Sequence, residues 1–176
     1  MSRGAGGYLR REQRRRGGRV IYDVDIVTVP EQAVVCLRRR GPLSEIGARM
    51  RRLRELVAHA GLTAAGPMMA RFYDSDAARP DLDYDVCLPI RRADDGSVPD
   101  AVSEARGELV PLHHALRAVH SGPRGSLQDA WRAVDEARAA LGYTASGPFT
   151  EIYVKGRESG ADPAGFVTEV RLPYAR

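Results

Sequence analysis

A single acidic residue between two aromatic residues is the feature of this sequence best suited to chemistry. Residues 147–154 place β-branched and aromatic side chains behind a Gly-Pro turn, a composition typical of a strand. Because side chains alternate across a strand, Phe149, Glu151 and Tyr153 share one face. If that face is buried, the carboxylate destabilises the fold unless a positive charge compensates it. A cationic aromatic ligand would supply that charge, and cation–π contacts with the rings would add about 0.5–2 kcal/mol each.

A structural role for this carboxylate is the alternative. Glu151 would then lie at a strand edge or form a salt bridge, and several arginines are available to pair with it. Burial beside Phe149, Tyr153 and Trp131 would raise the pKa of the glutamate, whereas a bound cation would lower it again. The residue types alone leave both roles open.

Other kinds of chemistry lack the residue spacing that they require. His113 and His114 are neighbours on a predicted strand, so they point to opposite faces and do not share a metal. The sequence contains no Cys-x-x-Cys or His-x-x-x-His spacing and no glycine-rich phosphate loop. Cys36 and Cys87 lie in strand-like runs and are interpreted as two buried thiols. We therefore expect no metal, no cofactor and no catalytic residue.

The elements that position these residues come from an internal repeat with an offset of 81 residues. Residues 66–73 match 147–154, with Ala70 at the position of Glu151. Each copy has two strands, a helix behind a Gly-Pro pair, and two more strands. The first copy has strands at 22–29, 33–39, 68–73 and 84–90 and a helix at 43–60; the second has strands ending near 111 and at 114–119, 149–155 and 166–173, with a helix at 127–141.

Two copies of a β-β-α-β-β unit predict one pseudo-twofold α+β domain. We expect eight antiparallel strands, two long helices that cover one sheet face, and a central ligand cleft where the related surfaces meet. The predicted ligand-binding domain covers residues 21–176, with halves at 21–92 and 104–176. Residues 1–20 are predicted to form a flexible, arginine-rich tail.

Each predicted helix carries apolar residues along one face, and this face suits either the core or the wall of the cleft. Ile46 corresponds to Leu127 in the repeat, and Met50 corresponds to Trp131. Each pair is four residues apart and therefore lies on one helix face. Trp and Met are adaptable, polarisable surfaces for aromatic ligands, but they are equally common in cores. Ser126 begins a capping-box pattern at the start of the second helix.

The net charge of +4 is unevenly distributed along the 176 residues. Residues 1–20 hold seven arginines and one acid, which leaves −2 for the rest of the chain. A folded nucleic-acid reader carries its basic stripe on the globular part, so we expect no nucleic-acid binding by the body. The tail is interpreted as solvated, with nucleic-acid or partner contact as the alternative. No run approaches the ~20 apolar residues of a membrane helix, and the start lacks a signal peptide, so we expect a cytoplasmic protein.

Four motifs lie in the order and spacing of a known family. They are Val29-Pro30 before a strand, Gly41-Pro42 before a helix, Ala65-Gly66-Pro67 before a strand, and Gly147-Pro148-Phe149-Thr150-Glu151-Ile152-Tyr153. Together they resemble the GyrI-like (gyrase-inhibitor-like) small-molecule-binding domains, which are the effector-binding modules of bacterial multidrug-responsive transcription regulators. The likeness covers about residues 21–176 and rests on order, spacing and duplication rather than on one motif.

The resemblance implies the SOUL/GyrI-like fold with a central cleft for hydrophobic aromatic cations such as dyes and antiseptics. The acid of the family's Glu-Ile-Tyr-like strand falls on Glu151, and Phe149 flanks it. The same alignment gives wall positions, and helix geometry adds Trp131 one turn beyond Leu127. The predicted ligand-binding residues are Glu151, Tyr153, Phe149, Trp131, Leu127, Met50, Ile46, Pro42, Met68 and Phe166.

This sequence departs from the regulators because no winged-helix or helix-turn-helix segment precedes the fold. We therefore expect a stand-alone multidrug-binding protein that holds or sequesters planar aromatic cations, with a regulatory role left open. Some relatives of this fold resemble hydrolases that open the cyclopropane of DNA-alkylating natural products. In that alternative Glu151 acts as acid or base and a nearby tyrosine assists. A third interpretation is the inhibition of a large protein partner such as a topoisomerase.

Overall fold

A computed structural model describes residues 14–16, 19–74, 80–156, 160 and 162–176. Helix α1 covers Ile46–His59 and α2 covers Leu127–Ala140, and a 3₁₀ turn precedes each, at Leu43–Glu45 and Arg124–Ser126. The strands are β1 Arg14–Arg16, β2 Arg19–Ile21, β3 Asp25–Val29, β4 Gln32–Gly41, β5 Met69–Phe72, β6 Leu82–Ile90, β7 Ala101–Val102, β8 Ala105–Val110, β9 His113–Ser121, β10 Thr144–Ala145, β11 Phe149–Lys155 and β12 Val167–Ala175.

Ten strands form one antiparallel sheet in the order β3-β9-β12-β11-β5-β6-β4-β8-β7, with β10 paired to β12. Eight of these are the strands that the repeat predicts, and β7 and β10 are two-residue additions. The predicted α+β class, with two long helices and a large antiparallel sheet, is confirmed. Four of these eight strands lie on each side of the boundary between β5 and β11.

The two halves exchange their first strands. Strand β3 belongs to the first copy in sequence but pairs with β9 of the second copy. Strand β8 belongs to the second copy but pairs with β4 of the first. The exchange interlocks the halves, so neither forms its four-stranded sheet from its own residues alone. The halves are therefore units of sequence rather than separable domains.

The centre of the sheet is the β5–β11 pair, where the two copies meet. Glu151 lies opposite Ala70, and Phe149 lies opposite Phe72. Since Glu151 and Ala70 are equivalent in the repeat, the pseudo-twofold axis passes between them. Side chains at this point face both halves at once.

Both helices pack on the sheet face that carries Glu151. The core under α1 includes Leu53 and Val57 with front-face residues of β4, β5 and β6. The core under α2 includes Ala130 and Val134 with front-face residues of β9 and β12. Trp131 packs against both cores, so it marks the boundary between the halves. The cleft between the helices opens above the central strand pair.

The opposite sheet face carries a buried charge network around Asp85. This carboxylate is fully buried and accepts hydrogen bonds from Arg71 Nη2 at 2.7 Å, Arg106 Nη2 at 2.9 Å and Tyr73 OH at 2.7 Å. Burial alone would raise the pKa of Asp85, but the bonds from Arg106 and Tyr73 and the charge of Arg71 outweigh it and lower the pKa. The network stabilises a sheet face that no helix covers within the described residues.

Only part of the predicted tail lies within the described residues. There, β1 and β2 form a two-stranded antiparallel ladder with Arg14 opposite Ile21. The flexibility predicted for the other tail residues concerns positions outside the described part, so it stays a prediction. Neither described helix combines the length and apolar character needed to span a membrane.

Candidate functional site

Glu151 lies on the central strand β11, and its residue is only 3% exposed. Three side chains donate to its carboxylate: Arg124 Nη2 to Oε2 at 2.7 Å, Tyr153 OH to Oε2 at 2.6 Å, and Trp131 Nε1 to Oε1 at 3.0 Å. Burial raises the pKa of Glu151, and the charge of Arg124 and the bonds from Tyr153 and Trp131 offset this only in part. The carboxylate therefore has hydrogen-bond donors on both oxygens, and its pKa nevertheless stays above the ordinary value of a glutamate.

Trp131 is held in place by an aromatic stack. Its ring lies nearly parallel to Phe149, with 4.7 Å between ring centroids and 10° between planes, and Phe72 packs against it at 5.1 Å. Strand pairing fixes Phe149 and Phe72 opposite each other. The stack orients the indole so that its only hydrogen-bond donor points at Glu151.

Tyr153 lies two residues beyond Glu151, on the same face of β11. Burial, together with the neighbouring negative charge of Glu151, raises the pKa of Tyr153 well above 10. The phenol is therefore protonated at neutral pH and acts as a hydrogen-bond donor. Its ring also lies 5.4 Å below the guanidinium carbon of Arg124, a cation–π distance.

Arg124 projects from the 3₁₀ turn that precedes α2. Gly122 begins the turn with a φ of 126°, a left-handed conformation that favours glycine. Buried His120 donates from Nε2 to the carbonyl oxygen of Pro123 at 3.1 Å and accepts from Tyr22 OH at 2.8 Å. These contacts fix the backbone immediately before Arg124.

The capping-box prediction for Ser126 is wrong. Its side chain makes no cap hydrogen bond to the helix. Instead, Ser126 Oγ donates to the carbonyl oxygen of Pro123 at 3.1 Å and stabilises the turn. The 3₁₀ turn ahead of α2 places Ser126 in a conformation from which its hydroxyl points back along the chain.

Two cavities adjoin the ion pair between Arg124 and Glu151, and Arg124 lines both. The first, which we call the tryptophan cavity, has a volume of about 290 Å³, and the second, which we call the arginine cavity, has a volume of about 530 Å³. The tryptophan cavity is lined by Leu43, Phe72, Leu82, Arg124, Gly125, Leu127, Gln128, Trp131 and Glu151. The arginine cavity is lined by Ser44, Ile46, Gly47, Met50, Arg51, Arg54, Gly122, Arg124, Tyr153, Lys155, Gly156, Phe166 and Thr168.

The two cavities differ in charge. The tryptophan cavity combines one carboxylate and one guanidinium with mostly apolar and aromatic walls. The arginine cavity has an apolar floor but carries Arg51, Arg54 and Lys155 in addition to Arg124. The positive side chains of the arginine cavity therefore repel cations, whereas the opposite charges in the tryptophan cavity balance each other.

Most of the predicted site residues line one of these two cavities. Glu151, Trp131 and Leu127 line the tryptophan cavity, and four others line the arginine cavity: Ile46, Met50, Tyr153 and Phe166. The remaining three lie around them. Met68 is buried beside Tyr153, Phe149 supports the indole from behind, and Pro42 is half-buried at the start of the first 3₁₀ turn.

The sequence reasoning missed Arg124, the nearest charged neighbour of Glu151. The repeat contains the pattern that identifies it, because Arg124 occupies the position of Leu43 in the first copy. The other three polar members of the site also replace apolar equivalents: Trp131 replaces Met50, Glu151 replaces Ala70 and Tyr153 replaces Phe72. The polar site is thus a specialisation of the second half.

On the far face of the sheet, a possible metal-ligand set proves to be occupied by an arginine. Ligand atoms of Cys36, Asp85 and Cys87 lie within 4.8 Å of one another. Arg71 Nη2 lies 3.2 Å from the Cys36 sulfur and 2.7 Å from Asp85, so a positive charge already fills this position. Both cysteines are free and buried, which confirms the prediction of two buried thiols.

A further cavity, with a volume of about 220 Å³, lies on the far face of the sheet. Val34, Met69 and Ile152 form part of its floor, and Arg71 and Arg171 contribute polar edges. The central strand pair separates this cavity from Glu151, so it takes no part in the chemistry of the carboxylate.

A family model described as the GyrI-like small molecule binding domain matches residues 22–175. No curated protein sequence matches the chain. Solved structures with the same fold are nevertheless numerous. At 14–21% sequence identity, the similarities below establish the fold.

The chain is similar to the C-terminal domain of EcmrR, with a TM-score of 0.80, 20% identity, and coverage of 89% of this chain and 99% of that domain. The chain is also similar to EcmrR in a complex with DNA, with a TM-score of 0.78 and 21% identity. The match covers 88% of this chain but only 58% of the EcmrR chain. A hydrolase from Listeria innocua has a TM-score of 0.59 at 14% identity, covering 86% of this chain and 91% of the hydrolase. SAV2435, solved with bound tetraphenylphosphonium, has a TM-score of 0.57 at 14% identity, covering 87% and 94%.

Proposed function

Because the chain belongs to the family of GyrI-like small molecule binding domains, we propose that it binds planar, hydrophobic aromatic cations in the cleft, with Glu151 as the counter-charge. Binding or sequestration is the primary activity, and a regulatory role would follow from coupling to a partner. The resemblance noted in the sequence is thereby confirmed at the level of the family. The class of ligand and the role of the glutamate are the proposal.

A single observation carries the proposal. Glu151 is an almost fully buried acid beside an apolar cavity walled by Trp131 and Phe72. A buried carboxylate requires a positive partner. Arg124 supplies one at 2.7 Å, and a bound cation would compete for this contact. Aromatic walls favour a ligand whose charge is spread over flat rings. A planar aromatic cation matches both demands, whereas a small hydrated cation would match only the charge.

The tryptophan cavity is the better place for the charged rings of the ligand. It contains a carboxylate, whereas Arg51, Arg54 and Lys155 make the arginine cavity electropositive. Uncharged parts of a larger ligand would extend toward Met50 and Phe166 of the arginine cavity. SAV2435 was solved with tetraphenylphosphonium, a lipophilic cation with four aromatic rings around a tetrahedral phosphorus. This supports aromatic cations as ligands of the fold but not the planar shape.

Three acridines of matched size test the proposal: N-methylacridinium, neutral acridine and acridine-9-carboxylate, titrated at about pH 8. We expect the wild-type protein to favour the cation. Glu151→Gln keeps the shape of the side chain and should weaken cation binding by about 10- to 100-fold while leaving neutral acridine unchanged. Circular dichroism checks that the variant folds. Equal cation affinity in the two proteins would refute the role of Glu151 as counter-charge.

Hydrolysis of electrophilic cyclopropane compounds is a second candidate. The favouring observation is the 2.6 Å hydrogen bond from Tyr153 OH to Glu151, a pairing of acid and phenol beside an apolar cavity. A neighbour of this fold is a hydrolase. In this reaction the oxygen of water would bond to one cyclopropane carbon as a ring carbon–carbon bond breaks. The electron pair of that bond would pass to the rest of the compound, which would take up a proton while the added water loses one. Product in large molar excess over protein would support the enzyme, and stoichiometric binding of unchanged ligand would exclude it for that compound.

A further inference from the structure

The cleft already contains a positive charge of its own. Arg124 Nη2 donates to Glu151 Oε2 at 2.7 Å, and the guanidinium carbon lies 5.4 Å from the centre of the Tyr153 ring. A carboxylate and an aromatic face are the two partners that a lipophilic cation would seek in this cleft. The arginine therefore makes the contacts that the proposed ligand would make.

The arginine and the glutamate depart from the repeat together. In the first half, their equivalents Leu43 and Ala70 are both apolar. A glutamate alone at the centre of the sheet would be an uncompensated buried charge. The introduction of Arg124 at the same site neutralises it in the absence of any ligand.

Arg124 also has a route away from the carboxylate toward solvent. Its side chain is 35% exposed, whereas that of Glu151 is 4% exposed. It extends from a turn and lines both cavities, so a ligand that bridges the two cavities must push it aside toward solvent. Trp131 and Tyr153 lie on regular elements and would continue to donate to the carboxylate after the arginine has left.

We propose that Arg124 is the specificity-determining residue of the cleft: its guanidinium occupies the place of a ligand's positive charge on Glu151, and only a cation that displaces it gains the carboxylate. This inference rests on the proposed function. It narrows the ligand class to weakly hydrated cations with several fused or linked rings. A single-ring cation fills one cavity, leaves Arg124 in place and gains little from Glu151.

The test compares the wild-type protein with Arg124→Met, which keeps much of the side-chain volume and removes the charge. At about pH 8 we expect N-methylacridinium to bind Arg124→Met about 10- to 100-fold more tightly and neutral acridine to bind both proteins equally. Arg91→Met removes an exposed arginine just beyond β6 and changes the net charge equally. This control should leave cation affinity unchanged. If Arg124→Met fails to fold, Arg124→Gln replaces it.

Proton release gives a second, independent measure. Without Arg124, burial shifts the pKa of Glu151 further upward, so near neutral pH a bound cation displaces a proton from Arg124→Met. In the wild-type protein the cation displaces the guanidinium instead. Calorimetry in buffers of different ionisation enthalpy should therefore detect more proton release from Arg124→Met than from the wild-type protein.

The outcomes separate this inference from the proposed function. Glu151-dependent cation binding that is equal or weaker in Arg124→Met overturns the inference and leaves the proposed function standing. Cation binding by Arg124→Met alone supports the role of Arg124 and overturns cations as ligands of the native protein. If the wild-type protein binds acridine-9-carboxylate more tightly than N-methylacridinium, and Arg124→Met loses this preference, Arg124 is an anion-binding residue. That result overturns both the inference and the proposed function.

Discussion

Glu151 and Ala70 lie directly opposite each other on the central strands and are also equivalent positions in the repeat. The pseudo-twofold axis passes between them, so a residue shared by both copies would face its own duplicate. Two carboxylates in this position would repel each other in a buried setting. The presence of an acid in one copy and alanine in the other follows from this geometry.

Ala70→Glu should therefore be strongly destabilising. Ala70 is fully buried, so any larger side chain overpacks the site, and the new carboxylate would also face Glu151. Ala70→Gln has nearly the same volume without the charge. At neutral pH we expect Ala70→Glu to lower the free energy of unfolding by about 3 kcal/mol more than Ala70→Gln. Urea unfolding measures both, and equal stabilities would show that the carboxylates do not interact.

The pKa of Glu151 predicts how stability depends on pH. Burial raises its pKa in the folded protein above the ordinary value of 4.5. The folded state therefore binds the proton more tightly than the unfolded state, and the stability contributed by Glu151 decreases as pH rises from 4.5 through the folded pKa. Relative to Glu151→Gln, the wild-type protein should lose about 1.4 kcal/mol per unit of pKa shift over that window. If urea unfolding instead showed the wild-type protein gaining stability relative to Glu151→Gln as pH rises, Arg124 would outweigh burial.

The internal repeat was sufficient to predict the eight main strands, both helices and the fold class, but not the short strands β1, β2, β7 and β10. It did not predict which strands pair, because β3 has the same length and alternation whether it joins its own copy or the other one. The exchange of first strands is decided by how the connections cross the sheet, which no local pattern records. The prediction of two joined four-stranded halves was therefore correct in strand number and incomplete in connectivity.

The candidate site was predicted in part. Glu151, Trp131 and Tyr153 were identified from the types of residue on one strand face and one helix stripe, and the structure brings them into hydrogen-bond contact. Arg124 was missed because the chain is rich in arginines and none stands out by composition. Comparing the copies position by position identifies it, since Leu43 takes its place in the first half.

The hydrogen bond from Trp131 to Glu151 can be separated from the aromatic stack. Trp131→Phe preserves a ring against Phe149 but removes the donor to Oε1. We expect the free energy of unfolding to fall by about 1–3 kcal/mol, the cost of a lost hydrogen bond to a buried charge. Trp131→Ala, which also removes the stack, should cost about 3–5 kcal/mol. Denaturation followed by circular dichroism distinguishes the two. Equal losses would mean that the stack contributes nothing, and no loss in Trp131→Phe would mean that the donor contributes nothing.

Removal of Asp85 should damage the fold without affecting the cleft. Asp85→Ala removes one of the two carboxylates paired with Arg71 and leaves Glu108 in contact with it, while Tyr73 loses its acceptor. The change should cost about 1–3 kcal/mol. The pKa of Asp85 is lowered in the folded protein, so its stabilisation is present above the ordinary value of 3.8 and is lost as pH falls. Asp83→Ala removes a more exposed partner of Arg38 and should cost at most about 1 kcal/mol. Similar losses at neutral pH in the two variants would contradict the buried network.

The positive rim of the arginine cavity should slow the approach of cationic ligands. Arg51 and Lys155 are exposed and line this cavity, so replacing both with glutamate removes repulsion along the entry path. At low salt we expect the association rate of N-methylacridinium to rise by about 3- to 10-fold, with the effect fading as salt screens the charges. Arg91 and Arg92 are exposed beyond β6, and replacing both with glutamate changes the net charge equally. Stopped-flow fluorescence compares the two double variants. Equal acceleration by both would attribute the effect to net charge, and no acceleration by either would show that ligands enter along another path.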